Sequence, residues 1–205
     1  GCGGLEITDE IRVTIAAQAA VLLLGRETGF YPGLRTILVY PSAYSVATPR
    51  RNPDGTMTDG TQVRLGESWH RGSVVLSWSD VVRGAADDDD GHNVVLHEFA
   101  HQLDSEDGSV NGAPALPSGA RYREWARVLG HEYAELIEEL HRGHRGLLDA
   151  YGSTSPPEFF AVATELFFER PRAMRGRYPE LYAQLRQFFG QDPAERGASA
   201  GGGRG

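Results

Sequence analysis

Lysine is absent from this chain, and cysteine occurs once, as Cys2. All twenty basic residues are therefore arginine, set against twenty-eight acids, for a formal net charge of -8. Sequence-independent binding to nucleic acid needs a basic face that displaces counterions, so this balance argues against that class and no nucleic-acid partner is expected. The arginine bias itself reads as a coding-composition effect. One cysteine can neither staple a fold nor build a thiolate metal site, so any metal must be held by histidine and carboxylate. A chain without disulfides fits a reducing cytoplasm, which is the expected location. Long apolar runs are scarce too. The longest, Ile15 to Leu24, is too short for a bilayer and carries Gln18. Glu6, Asp9 and Glu10 precede it where a secretory leader would be positively charged. It reads as a buried helix, and no membrane partner is expected. The abrupt opening GCGG leads us to expect a missing upstream segment.

What is present suffices for one hydrophobic core: 40% apolar residues, with eight Tyr, eight Phe and three Trp in 205 residues. Thr8 and Asp9 offer N-cap oxygens to a helix that runs to Leu24 and stops at Gly25. Thr36 to Tyr40 is β-branched and aromatic, a strand ended by Pro41. Residues 44–66 read as hairpins and loops, and Ser73 to Trp78 as a second clear strand. Asp87 to Asp90 form a charge run, read as a solvated loop whose last acid caps the next helix. As a calcium loop it fails, since aligning Gly91 as the loop glycine puts Ala86 and His97 at the terminal ligand positions. Helical patterns then cover about Asn93 to Leu103, Ala120 to His141, Ser155 to Phe168 and Glu180 to Phe189. Strands early and helices late predict an α+β domain, a small sheet packed on a helical body. Residues 1–193 form that single domain, and the Gly/Ala-rich tail 194–205 is expected to be disordered.

The chemistry sits in His97-Glu98-Phe99-Ala100-His101. Residues four apart on a helix share a face, about 6 Å apart along the axis, so the two imidazoles can bite one metal ion. Glu98 beside them can take a proton from water without ligating. This is the physical content of an HExxH motif in a zinc hydrolase. Val94, Val95, Leu96, Phe99, Ala100 and Leu103 make the helix a buried one, which holds ligands rigidly. The bland reading is a pair of satisfied core histidines. A third ligand is required, and the metzincin extension is excluded because Asp104 and Asp107 stand where Gly and His are needed. Asp104, Asp149, Glu158 and Glu165 remain. Asp104 lies so close that orienting a histidine suits it better. Glu158 and Glu165 share one face of the later helix, and Ser155-x-x-Glu158 is also a capping box that needs no metal. Spacing puts Glu158 ahead and leaves the choice open.

VVLHEFAHQLD (94–104) and DAYGSTSPPEFFAVATELFFERP (149–171) together resemble the Mlc titration factor A family, glucose-regulated zinc peptidases of bacteria. TDEIRVTIAAQAAVLLLG, ILVYPSAY and GSVVLSW fit the same pattern, so the resemblance runs from Leu5 to about Pro193. More distantly, the arrangement is similar to the peptidase domain of anthrax lethal factor. The resemblance implies a zincin-like fold and one Zn²⁺ per chain on His97, His101 and Glu158. It implies Glu98 as general base and Tyr151 facing the metal from the other side. Glu165 then becomes a partner of a ligand histidine. The implied activity is peptide hydrolysis, aminopeptidase-like on short substrates, with a peptide or protein as partner. Ser73 to Trp78 is either the rim that pairs with an extended substrate or an ordinary interior strand. The remaining histidines, His70, His92, His131, His141 and His144, read as surface or helix-face residues, with His92 placed one turn before His97 and so able to lie near the site, and Trp69 and Trp78 as core. The alternative function is a regulatory protein that keeps the zinc fold and sequesters a transcription-factor partner. An intact Glu98 weighs against it, because a structural zinc site needs no base.

Overall fold

Thr8 opens the first helix, its side-chain oxygen accepting from the Ile11 amide, and Asp9 and Glu10 lie at the positive end of the helix dipole. This helix, α1 (Asp9–Val21), buries Ile11, Ile15 and Ala19 at helical spacing. The computed structural model describes residues 1–26, 29–42, 45–51, 57–63, 72–87 and 89–196, with 45–51 and 57–63 described through their backbone. Strand β1 (Thr36–Tyr40) pairs in parallel with β4 (Ser73–Ser77), from Thr36↔Ser73 to Tyr40↔Ser77. Between them in sequence, β2 (Ser45–Arg51) and β3 (Met57–Val63) form an antiparallel ladder, the hairpin expected in this stretch. Trp69 and His70 lie outside the described residues. Among the described residues seven α-helices follow: α2 (Trp78–Ala86), α3 (Val94–Asp104), α4 (Gly119–His141), α5 (Pro156–Glu169), α6 (Pro171–Arg177), α7 (Pro179–Phe189) and the single turn α8 (Pro193–Arg196). The α+β expectation of a small sheet beside a helical body holds. Among the described residues no helix is long and apolar enough to cross a membrane.

Helix α5 is the centre of that body. Phe159, Phe160, Ala161, Ala163, Leu166 and Phe167 are all at most 2% exposed, which a helix achieves only when covered on every side. Trp125 of α4 meets Phe160 edge to face at 5.7 Å, and Phe189 of α7 stacks on Phe167 at 5.6 Å. Phe99 and Leu103 bring α3 into the same core, and Val74 and Leu76 bring the sheet.

Three expectations change. Trp78 begins α2 rather than ending a strand; the apolar run Val74-Val75-Leu76 masks a helix whose own signal is short. Residues 74–77 are at most 6% exposed, and among the described residues β4 pairs on one side only, with β1. Helix α6, which runs from Pro171 up to the turn before Pro179, was not foreseen because two prolines in nine residues read as a stop; each instead occupies the first helical position. Lastly, residues 194–196, expected to belong to the tail, are part of α8. The Ala194 amide donates to the Tyr182 hydroxyl, and Ala194 is 2% exposed, so the last turn is held through Arg196. Residues 197–205 lie outside the described residues.

Helix α1 ends at Val21 with Leu22 as its C-cap, short of the expected stop at Gly25, and Gly25 has a different role. A Cβ there would meet the Phe189 carbonyl oxygen at 2.4 Å and that of Gly190 at 2.5 Å, while Gly190 itself sits at φ 61° as the left-handed cap of α7. Backbone thus touches backbone where α1 and α7 end, and the Gln191 side chain adds a hydrogen bond to the Val21 carbonyl at 2.8 Å. Gly25→Ala should cost about 1–3 kcal/mol in denaturant unfolding, as overpacking against an unyielding neighbour does. Wild-type stability in that variant would mean that the two backbones part freely.

Candidate metal centre

Asn93 places α3. Its side-chain oxygen accepts from the Val95 and Leu96 amides, both at 3.1 Å, while its amide nitrogen donates to Gln18 of α1, the Gly84 carbonyl of α2 and Glu169 of α5. The helix therefore starts at a fixed point against three others. Asp90, expected to cap it, instead accepts from the His92 amide at 2.7 Å and closes a turn one step earlier. An Asn directly before an apolar run is the N-cap signal that locates Asn93; the neighbouring acids obscured it.

From this start His97 and His101 present one face to α5, whose carboxylates Glu158, Glu165 and Glu169 line a stripe at i, i+7 and i+11 on an otherwise apolar helix. Glu158 Oε2 lies 3.0 Å from His97 Nε2 and 3.4 Å from His101 Nε2, and the two Nε2 atoms are 3.3 Å apart. Glu165 Oε1 accepts from His97 Nδ1 at 2.7 Å, and its Oε2 from the Asn93 backbone amide at 2.6 Å. With Nδ1 donating, Nε2 of His97 is the atom aimed at the cluster. Among the described residues His97, His101 and Glu158 are the group that could hold a metal ion, their ligand atoms all within 4.8 Å of one another. The capping box at Ser155 is half made: Ser155 Oγ accepts from the Glu158 amide, and the Glu158 carboxylate turns to the histidines instead of back to Ser155.

The other candidates fall elsewhere. Asp104 is fully buried but accepts from the Gly112 amide at 2.9 Å, fixing the loop after α3 rather than orienting a histidine. Burial pushes its pKa up to about 6 against the pull of the Gly112, Ala113 and Asn111 amides. Asp149 accepts from the Tyr151 amide at 2.7 Å and stands outside the triad, 3.9 Å from His92. Glu98 is 2% exposed and Tyr151 is 54% exposed, its ring 6.0 Å from that of His97. Both line a cleft of about 370 Å³ with His97, Glu158 and Glu165. His92, one turn before His97 and expected to be able to lie near the site, lines it as well. A larger apolar cavity of about 470 Å³ under α1 has no comparable convergence of polar groups, so the chemistry belongs to the smaller one.

Electrostatics shows why a cation belongs here. Burial alone would lower the His97 pKa, but hydrogen bonds to Glu158 and Glu165 overcome it and raise it to about 10. His101 is pushed down, by burial first, and Glu158 is held at about 2 because its histidine partners outweigh its own burial. At pH 7 without metal, His97 is thus the one member of the triad that binds a proton, at the nitrogen facing its partners. A metal must displace that proton. Uptake of a divalent metal at pH 7 should release about one proton per site, and affinity should rise about tenfold per pH unit until the His97 value is approached. Calorimetric titration in buffers of different ionisation enthalpy reads the proton count, and a count of zero or two would contradict this charge assignment.

Comparison with known proteins places this geometry in context. The family model described as "Glucose-regulated metallo-peptidase M90" matches residues 1–190. An uncharacterized protein of Synechocystis sp. is 42% identical over 195 residues, 94% of this chain and 70% of its own length. Proteins named Mlc titration factor A from Yersinia pestis and Yersinia pseudotuberculosis are each 34% identical over 196 residues, 94% of this chain and 72% of theirs. Both motif segments that carry the resemblance lie inside the matched region, and so do all three residues of the buried triad. The chain belongs to the glucose-regulated metallo-peptidase M90 family.

Proposed function

We propose that this protein is a zinc-dependent metallopeptidase that hydrolyses short peptides in an aminopeptidase-like manner, in the cytoplasm. The observation that carries the reading is the convergence of two imidazoles and a carboxylate on one point, beside a buried glutamate that shares their cleft. The spacing supports zinc. Tetrahedral zinc with bonds of about 2.0–2.1 Å to nitrogen and oxygen separates its ligand atoms by about 3.3 Å. The separations here are 3.0, 3.3 and 3.4 Å. Imidazole donors also favour zinc over calcium or magnesium, which prefer all-oxygen shells.

His97, His101 and Glu158 would hold the ion, leaving one position open. Zinc bound there supplies Lewis acidity, acidifying a water and polarising the scissile carbonyl. Glu98 takes the proton of the attacking water and returns it to the leaving amine, general base and then general acid. Tyr151 donates its hydroxyl to the carbonyl oxygen as that oxygen gains charge. Burial, with Glu158 and Glu98 nearby, raises the Tyr151 pKa above the ordinary phenol value, so the hydroxyl stays a donor. Glu165 keeps the His97 ring in the tautomer that aims Nε2 at the ion.

Glu98→Gln removes the base and no ligand. It should keep its metal while turnover falls by about 10² or more. Full activity in that variant, or absence of zinc from carefully purified wild-type protein, would end the peptidase reading. A second reading draws on the name of the Yersinia relatives, titration factors: a protein that works by binding a regulatory partner. That role would survive Glu98→Gln intact, so partner capture by the inactive variant separates the two.

Tyr151→Phe tests the oxyanion role. If the hydroxyl meets charge only as the carbonyl is attacked, kcat should fall by roughly 10²–10³ with KM and zinc content little changed. A tyrosine that merely packs would leave kcat within a few-fold and shift the melting temperature instead.

A further inference from the structure

The metal cleft does not end at the triad. A second cavity of about 210 Å³ adjoins it, and the two share His92, Asp149 and Val162 as walls. Arg145 and Arg170 line this second cavity over a floor that includes buried Leu148 and Leu166. Two acids line it as well, equal in number to the arginines, where the metal cleft has five acids to one arginine. Asp90 accepts from the His92 amide and Asp149 from the Tyr151 amide, each at 2.7 Å. The arginines are held far less. Arg170 has Asp89 at 3.9 Å, a side chain 85% exposed, and an ion pair that long and wet contributes little. Arg145 has no ion pair or side-chain hydrogen bond among the described residues.

The two cavities differ in charge. The metal cleft is acid-rich, with Asp80, Glu98, Asp149, Glu158 and Glu165 along it, and Arg83 there is already paired to Asp80 at 2.9 Å. An anionic group of a substrate is repelled along that cleft and meets arginine only beyond His92, where Arg145 has no partner among the described residues and Arg170 is held only by its long contact to Asp89. Arginine forks match carboxylate geometry, and paired arginines make a carboxylate receptor. We propose that the Arg145–Arg170 pocket is a subsite of the peptidase cleft that takes a carboxylate of the substrate, from an acidic side chain or a free C-terminus, while the adjoining peptide bond lies in the metal cleft. The assignment rests on the peptidase reading, and it narrows the substrate class to peptides carrying a carboxylate within reach of the scissile bond.

Matched peptides test it, one pair differing as Glu against Gln and the other as C-terminal carboxylate against amide. They are assayed on wild-type protein and on the Arg145→Gln/Arg170→Gln variant, with fold and zinc content verified. In wild type, loss of the carboxylate should lower kcat/KM about tenfold, mostly through KM, as loss of a charged hydrogen-bond partner does. The ratio should fall to near one in the double variant. The pair that shows the effect identifies the source of the carboxylate. Equal cleavage of both members in wild type, or an undiminished ratio in the double variant, overturns the subsite. If wild type cleaves no peptide, the peptidase reading is what has failed, and calorimetric binding of the same peptides then judges the pocket by itself. Arginine-dependent binding about tenfold tighter for the carboxylate member upholds it, while equal binding or none refutes it.

Discussion

The carboxylate of Glu165 ties the helix that bears the histidines to the helix that bears Glu158. One oxygen takes the imidazole proton of His97 and the other takes the amide of Asn93, the residue that starts α3. Two points of attachment fix both the rotation and the axial position of one helix on the other. A one-residue slip of α5 would turn its face by about 100° and carry Glu158, seven residues before Glu165, away from the histidines. The rest of the site inherits its register from this clasp.

Such a clasp is costly to assemble. Glu158, Glu165 and Glu169 lie within a helix buried on every side, and a buried carboxylate is tolerated only when partners replace the water it has lost. Asn93 answers two of the three, through its backbone amide to Glu165 and its side chain to Glu169. The histidines answer Glu158. Core packing around Phe160 and Trp125 holds the geometry from outside, so that mutual attraction of the charged groups need not hold it alone.

The pair of imidazoles was legible in the sequence because the helical period puts residues four apart on one face whatever the fold. Glu158 was legible only as one of two acids on a later helix, since nothing local says which turn of α5 faces α3; the resemblance favoured Glu158, and the structure brings it to the histidines. The partnership of Glu165 with a histidine was anticipated in kind. Asp104 was misjudged because a nearby acid on the same helix suggests a partner for histidine, whereas its carboxylate is drawn to the amide of Gly112 in the next loop. Asn93 was undervalued for a related reason. Its significance comes from contacts with α1, α2 and α5, which chain order does not disclose. Helices α2 and α6 were hidden by a preceding strand and by flanking prolines.

The backbone contact between Gly25 and Gly190, with the Gln191–Val21 hydrogen bond spanning 170 residues, also bears on the order of folding. A contact that closes so long a loop carries a large entropic cost and belongs after the folding barrier, once the helical body exists. Loosening it would then hasten unfolding more than it slows folding. During synthesis every residue of the triad leaves the ribosome before α7 does. The seam between Gly25 and Gly190 therefore has its second half only after the whole ligand set has emerged, whereas the Gln18 contact to the cap of α3 needs no residue of α7.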